Sequence, residues 1–145
     1  VRLVVLAAAL CAAAGVPVFA QDAKLTPGAI ASTNFNEVCA SDGLPGSAYS
    51  RKHRVWRDKA GTLAKYGIPA SEASQYEDDD RVPVCLGGDN ASPLNHWPQL
   101  WPDARQKNDF EREVCRRVCN DRNLDLTVAQ GWFMGDWRAH MKEFP

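Results

Sequence analysis

The sequence has no surplus of positive charge: 17 Lys and Arg stand against 18 Asp and Glu, a formal net charge of −1 over 145 residues. That balance argues against a surface built to attract phosphates along its whole length. An apolar run long enough to cross a bilayer is also missing. The longest, from Leu3 to about Val16, falls short of the roughly 18 to 20 residues a spanning helix needs, and Gln21-Asp22-Ala23-Lys24 follows it closely. No CxxC pair occurs, which removes the commonest zinc-binding spacing. Repeats and linker-like stretches are absent too, so a single domain is expected.

What stands at the start of the chain has the pattern of a leader. Arg2 precedes the apolar run, and Val18-Phe19-Ala20 puts small residues where a signal peptidase acts, so residues 1–20 are read as a signal peptide cleaved before Gln21. The protein is then exported, to a periplasm or to the medium, with no membrane attachment after cleavage. Cys11 leaves with the leader, and the loss of Arg2 takes the net charge of −1 to −2.

Four cysteines remain, Cys39, Cys85, Cys115 and Cys119, and an even number in an exported domain points to disulfides. Cys115 and Cys119 fall four apart in a helical pattern, where Cβ atoms are about 5–6 Å apart against the roughly 3.8 Å of a relaxed bridge. They therefore take different partners, which leaves two pairings open.

Residues 21–50 are rich in Ala, Ser, Asn, Gly and Pro without a sustained period, and read as an irregular segment pinned at Cys39. From about Arg51 to Tyr66, Trp56, Ala60, Leu63 and Ala64 recur at helical spacing, with Gly67 and Pro69 as the stop and Arg51, Lys52, His53, Arg54, Arg57 and Lys59 as a basic face. Ser71 is a candidate cap for a short turn. Arg81 to Leu86 alternates polar and apolar, which predicts a strand ended by Gly87-Gly88 and kept at an edge or bulge by Pro83. Asn95 to Pro98 is a second strand candidate. Asp103 with Gln106 and Thr127 with Gln130 have capping-box spacing for two helices. The first has Phe110, Val114, Cys115, Val118 and Cys119 on one face, and the second has Ala129, Phe133 and Trp137 as core.

Taken by themselves, Asp78-Asp79-Asp80 read as a solvated turn and His96, beside Trp97, as a packed and hydrogen-bonded residue, as do His53 and His140. A resemblance changes the weight of these positions. Tyr76-Glu77 through Gly87-Gly88, Asn95-His96-Trp97-Pro98-Gln99, Lys107, Val118-Cys119, Ala129-Gln130 and Asp136-Trp137 together resemble small exported proteins of the HNH, or ββα-metal, endonuclease superfamily. The spacing of fifteen residues from Asp80 to Asn95 and twelve from Asn95 to Lys107 suits such a unit. The resemblance implies an α+β fold over residues 51–145, with a strand-loop-strand-helix unit, flanking helices and disulfides. It also implies the pairing of Cys39 with Cys119 and of Cys85 with Cys115.

For function, the resemblance implies hydrolysis of nucleic-acid phosphodiesters with a divalent ion, Mg²⁺ first and Zn²⁺ second. Asp79 and Asp80 would hold the ion, His96 or Asp80 would activate water, Asn95 would orient the loop, and Lys107 would contact phosphate. The chain departs from the family at two places: Asp79-Asp80 stands where the family has Asp-His, and His96 stands where it has Leu after the Asn. A carboxylate with an ordinary pKa near 4 is a poorer base at neutral pH than an imidazole near 6.5. Neighbouring strand residues also face opposite ways, so Asn95 and His96 are not expected to aim at one point unless the strand bulges. The alternative is a degenerate nuclease fold whose acidic block binds a cation or a partner on a disulfide scaffold.

Overall fold

The computed structural model describes residues 21–40 and 57–144. The expected leader at 1–20, the basic run at 51–56 and the rest of the segment expected to be irregular, at 41–50, lie outside the described residues. In chain order the elements are a one-turn helix α1 (Phe35–Val38), helix α2 (Lys59–Lys65), a 3₁₀ turn (Ala70–Gln75), strand β1 (Tyr76–Asp80), a 3₁₀ turn (Val84–Leu86), strand β2 (His96–Leu100), helix α3 (Trp101–Cys119), helix α4 (Leu126–Met134) and a 3₁₀ segment (Trp137–Glu143). The chain is thus α+β, and strand, loop, strand and helix follow one another in the expected order.

The strands form an antiparallel pair in which Tyr76 faces Leu100, Asp78 faces Pro98 and Asp80 faces His96, with Glu77–Gln99 and Asp79–Trp97 between them. Directly opposed residues share a face of a sheet and neighbours in a strand do not. One face therefore carries Tyr76, Asp78, Asp80 and His96, and the other carries Glu77, Asp79, Trp97 and Gln99. Helix α2 covers the first: Leu63 and Ile68 pack with Tyr76, and Lys59 donates to the Tyr76 carbonyl at 2.6 Å. Helix α3 covers the second, where Asn108 donates to Glu77 at 3.1 Å.

The main core lies beyond α3. Val114 and Val118 of α3, Ala129 and Phe133 of α4, Trp137, and Val82 with Leu86 from the inter-strand loop have no measurable exposure to solvent. Two disulfides brace it, Cys39–Cys119 and Cys85–Cys115, which is the pairing the resemblance implied. They close loops of 80 and 30 residues, and constraint of the unfolded chain on that scale contributes about 4.5 and 3.5 kcal/mol in the chain-entropy picture. No helix among the described residues is long and apolar enough to cross a membrane. That and the two bridges are compatible with export.

Several local expectations are corrected. The first strand is Tyr76–Asp80, not Arg81–Leu86. The latter segment winds into the core instead: Pro83 lacks an amide proton, Val84–Leu86 form a 3₁₀ turn, and Gly87 at φ 83° ends it. A Cβ on Gly87 would collide with the Ser32 carbonyl and one on Gly88 with that of Val82, so the pair is required by close packing rather than by the end of a strand. The alternation that suggested a strand reflects a turn whose polar member, Arg81, is buried. Arg81 donates to the carbonyls of Thr26 at 2.5 Å, Phe133 at 3.4 Å and Met134, and so places a cation at the C-terminal end of α4.

The helix starts also differ. Helix α2 begins at Lys59, after Asp58, whose carboxylate accepts from the Gly61 amide at 2.9 Å, so Arg57 precedes the helix and does not lie on its face. Helix α3 begins at Trp101 with Pro102 in its first turn, and Asp103 accepts from Gln99 at 2.5 Å and from Arg138 instead of capping. Helix α4 is capped by Asp125, which accepts from the amides of Thr127 and Val128 at 2.8 and 3.1 Å. Gln130, read as half of a capping box, is buried and donates to the carbonyls of Ser32 and Leu86 at 2.9 and 2.7 Å, joining the N-terminal segment to the loop. The 3₁₀ turn at Ala70–Gln75 follows Pro69 without a side-chain cap, so Ser71 has no capping role.

Candidate functional site

The acidic run is not a solvated turn. Asp78, Asp79 and Asp80 form the end of β1 and are only 9, 5 and 6 % exposed. Buried carboxylates need partners, and alternation along the strand sends Asp79 and Asp80 to different ones, while among the described residues both carboxylate oxygens of Asp78 are buried without a hydrogen-bond partner.

On the α3 face, Asp79 meets Lys107. The ammonium of Lys107 is fully buried, lies 3.0 Å from Asp79 Oδ2, donates to the Asp80 carbonyl at 2.6 Å and pairs with Glu111 one turn along α3. Burial alone would lower the pKa of Lys107, but Asp79 and Glu111 outweigh it and hold it above the ordinary value. Burial dominates at Glu111 and lifts it to about 8 despite Lys107.

On the α2 face, Asp80 meets three groups. Arg57 donates to Oδ2, His96 Nε2 lies 3.5 Å from Oδ1, and Asn95 Nδ2 lies 3.4 Å from the same oxygen. Burial raises the pKa of Asp80 to about 7, with Arg57 acting against it. Arg57 also donates to the Asp78 carbonyl and, at 2.9 Å, to Asn90 Oδ1. Its side chain is 31 % exposed, whereas that of Lys107 is at 0 %.

Asn95 and His96 both reach Asp80, contrary to the expectation from strand alternation. No bulge is needed, because β2 begins at His96: Asn95 closes a turn, its amide donating to the Ser92 carbonyl at 2.9 Å. The Asn95 side chain clamps the loop onto the strand pair. Its Oδ1 accepts from the amides of Val82 and Ala29 at 2.9 and 3.3 Å, and its Nδ2 donates to the Val82 carbonyl at 2.9 Å. The loop-orienting position is filled in full by internal contacts.

The imidazole of His96 has a defined tautomer. Nε2 faces the Asn90 carbonyl at 3.1 Å and the Asp80 carboxylate, both acceptors, so Nε2 carries the proton and Nδ1 the lone pair. Burial and then Arg57 lower the pKa of His96, which keeps the ring neutral at neutral pH. Lys65 of α2 donates to the backbone carbonyl of the same residue at 2.8 Å. The α2 face therefore presents an imidazole flanked by two cations.

A divalent ion shared by Asp79 and Asp80 does not fit this arrangement. The two carboxylates leave β1 on opposite faces and each already meets a cation, and among the described residues no three of His, Cys, Asp and Glu converge as a metal-binding group. Of the residues expected from sequence, Asp80, Asn95 and His96 are brought together, while Asp79 and Lys107 lie on the far side of the strand pair. Arg57 was not singled out. Its signal in the sequence, membership of a basic run, is one that solvated surface also gives.

Comparison with known protein families, with curated proteins and with solved structures finds no match for this chain.

Proposed function

We propose that the chain is an exported HNH-like protein that hydrolyses phosphodiesters of nucleic acid, with His96 as its general base. One observation carries the reading: His96 is the direct cross-strand partner of Asp80, on the same face and with its ring 3.5 Å from that carboxylate. The family that the sequence resembles has a histidine where Asp80 stands and a leucine where His96 stands. The exchange moves the imidazole to the neighbouring strand and keeps it on the same face of the pair.

The chemistry available follows from the tautomer. His96 Nδ1 takes a proton from water as its oxygen attacks phosphorus, and the ester P–O bond breaks. The departing oxygen takes a proton from the imidazolium or from solvent, which returns His96 to its neutral form. The Asn90 carbonyl holds Nε2–H, and Asp80, 3.5 Å from the same nitrogen, favours the transient positive charge on the ring.

A second reading has its own support. Lys107, Asn95 and Asp79 are spent on internal contacts, which is the arrangement expected of a nuclease fold turned into a disulfide-braced scaffold. One assay separates the two: scission of plasmid DNA and of RNA by the oxidised chain in Mg²⁺ buffer, wild type against His96→Ala. Scission that disappears in His96→Ala supports the hydrolase. Scission unchanged by His96→Ala overturns the assignment of the base, and no scission by the wild type leaves the scaffold.

A further inference from the structure

We infer that Arg57 is the anion-binding residue of this site, the one that meets the substrate phosphate. The inference rests on the hydrolase reading for the identity of the substrate, but its own support is geometric. His96 is itself only 6 % exposed, so a cation that meets a phosphate beside it must be reachable from solvent and must have N–H groups to give. Lys107 meets neither condition: it is fully buried, on the opposite face, and held by Asp79, Glu111 and the Asp80 carbonyl. Arg57 meets both. Its side chain is 31 % exposed, and its guanidinium is anchored by Asp80, Asn90 and the Asp78 carbonyl. Those three contacts use both N–H groups of Nη2 and one of Nη1, leaving one on Nη1 and the Nε–H to give.

The anchoring matters as much as the exposure. A guanidinium already fixed by its neighbours loses little side-chain freedom when it binds, and a remaining N–H can give a charge-assisted bond to a phosphate oxygen. Arg57 is also close enough to His96 to depress its pKa, so a phosphate on Arg57 lies within electrostatic reach of the base. Asp80 stands between them, pairing with both side chains at once. Arg57 thereby takes the role that the resemblance implied for Lys107, on the face where the imidazole is.

The test measures binding apart from cleavage. In a His96→Ala background, the affinity of the oxidised chain for a short fluorescent single-stranded DNA is followed against salt, for Arg57, Arg57→Lys and Arg57→Gln. Arg122→Gln, whose guanidinium lies over the Phe35 ring, serves as a charge-matched control. The expected result is at least about a tenfold loss in Arg57→Gln, a salt slope smaller by about 1, an intermediate loss in Arg57→Lys and little change in the control. In the wild type, inorganic phosphate should raise the pKa of His96 seen by NMR, because a bound anion favours the imidazolium. This readout does not depend on whether Arg57→Gln folds.

Binding by Arg57→Gln equal to its parent overturns the inference, as does a wild type that binds neither probe or shows no phosphate-dependent shift at His96. Binding that is lost with Arg57 in a protein that cleaves nothing supports the inference and overturns the hydrolase reading alone.

Discussion

The ammonium of Lys107 lies 3.0 Å from the carboxylate of Asp79, and neither side chain has more than slight access to water. A buried pair of this kind is costly to assemble and costlier to break, because removing one partner strands the other in a medium of low polarity. Lys107→Ala leaves Asp79 and Glu111 without their cation. A loss of about 3–5 kcal/mol is expected, measured by urea denaturation of the oxidised chain. A loss under 1 kcal/mol would mean that the carboxylates find other partners.

The exchange of residues across the strand pair leads to a double-variant prediction. Asp80→His and His96→Leu are each expected to abolish scission, and the double variant Asp80→His/His96→Leu to recover a part of it, since the imidazole then returns to β1. Recovery absent in a double variant that melts cooperatively would show that the two positions are not interchangeable.

The order of the elements and the meeting of Asp80, Asn95 and His96 were legible from the residues, and the failures have physical reasons. The order strand, loop, strand, helix could be read because Gly87-Gly88, Ser92-Pro93 and the apolar periodicity of α3 and α4 are local signals. The position of β1 could not. Tyr76–Asp80 is four-fifths acidic, and charge of one sign reads as surface unless the cations that bury it are known. Those cations, Arg57 and Lys107, lie 23 and 27 residues from Asp80 in sequence. No windowed pattern joins them. Arg81–Leu86 failed in the opposite sense, because an alternating turn that feeds the core imitates a strand until its hydrogen bonds are counted.

Asp80 also sets a pH dependence. Its pKa is raised from 3.8 to about 7, so the folded chain binds a proton more tightly than the unfolded one. The sign follows: between about pH 4 and pH 7 the folded state holds more protons, and this group's contribution to stability falls as pH rises through that window. His96, whose pKa is lowered, acts the other way below its ordinary value of 6.5. The difference between wild type and Asp80→Asn is therefore the readout. The wild type should lose on the order of a few kcal/mol relative to Asp80→Asn between pH 5 and pH 8 in denaturation midpoints. Parallel profiles would place the carboxylate of Asp80 in an ordinary environment.

Metal binding gives a further check on the two faces of β1. Because Asp79 turns toward Lys107 and away from His96, calorimetric titration with Mg²⁺ or Zn²⁺ is expected to give the same isotherm for the wild type and Asp79→Asn. Binding that vanishes in Asp79→Asn would restore that residue as a ligand.

The two bridges are nested: the loop of 30 residues closed by Cys85–Cys115 lies wholly inside the loop of 80 closed by Cys39–Cys119. Nesting orders their formation. In a flexible chain the shorter loop closes more often, by roughly fourfold for these lengths, and the inner bridge once made shortens the path the outer one must span. Oxidation should thus proceed from the inside outward, fastening the inter-strand loop to α3 before the N-terminal segment is drawn in. Intermediates trapped early should carry the Cys85–Cys115 link and a still unattached Cys39, with the inter-strand loop already fixed to α3 and the N-terminal segment still free.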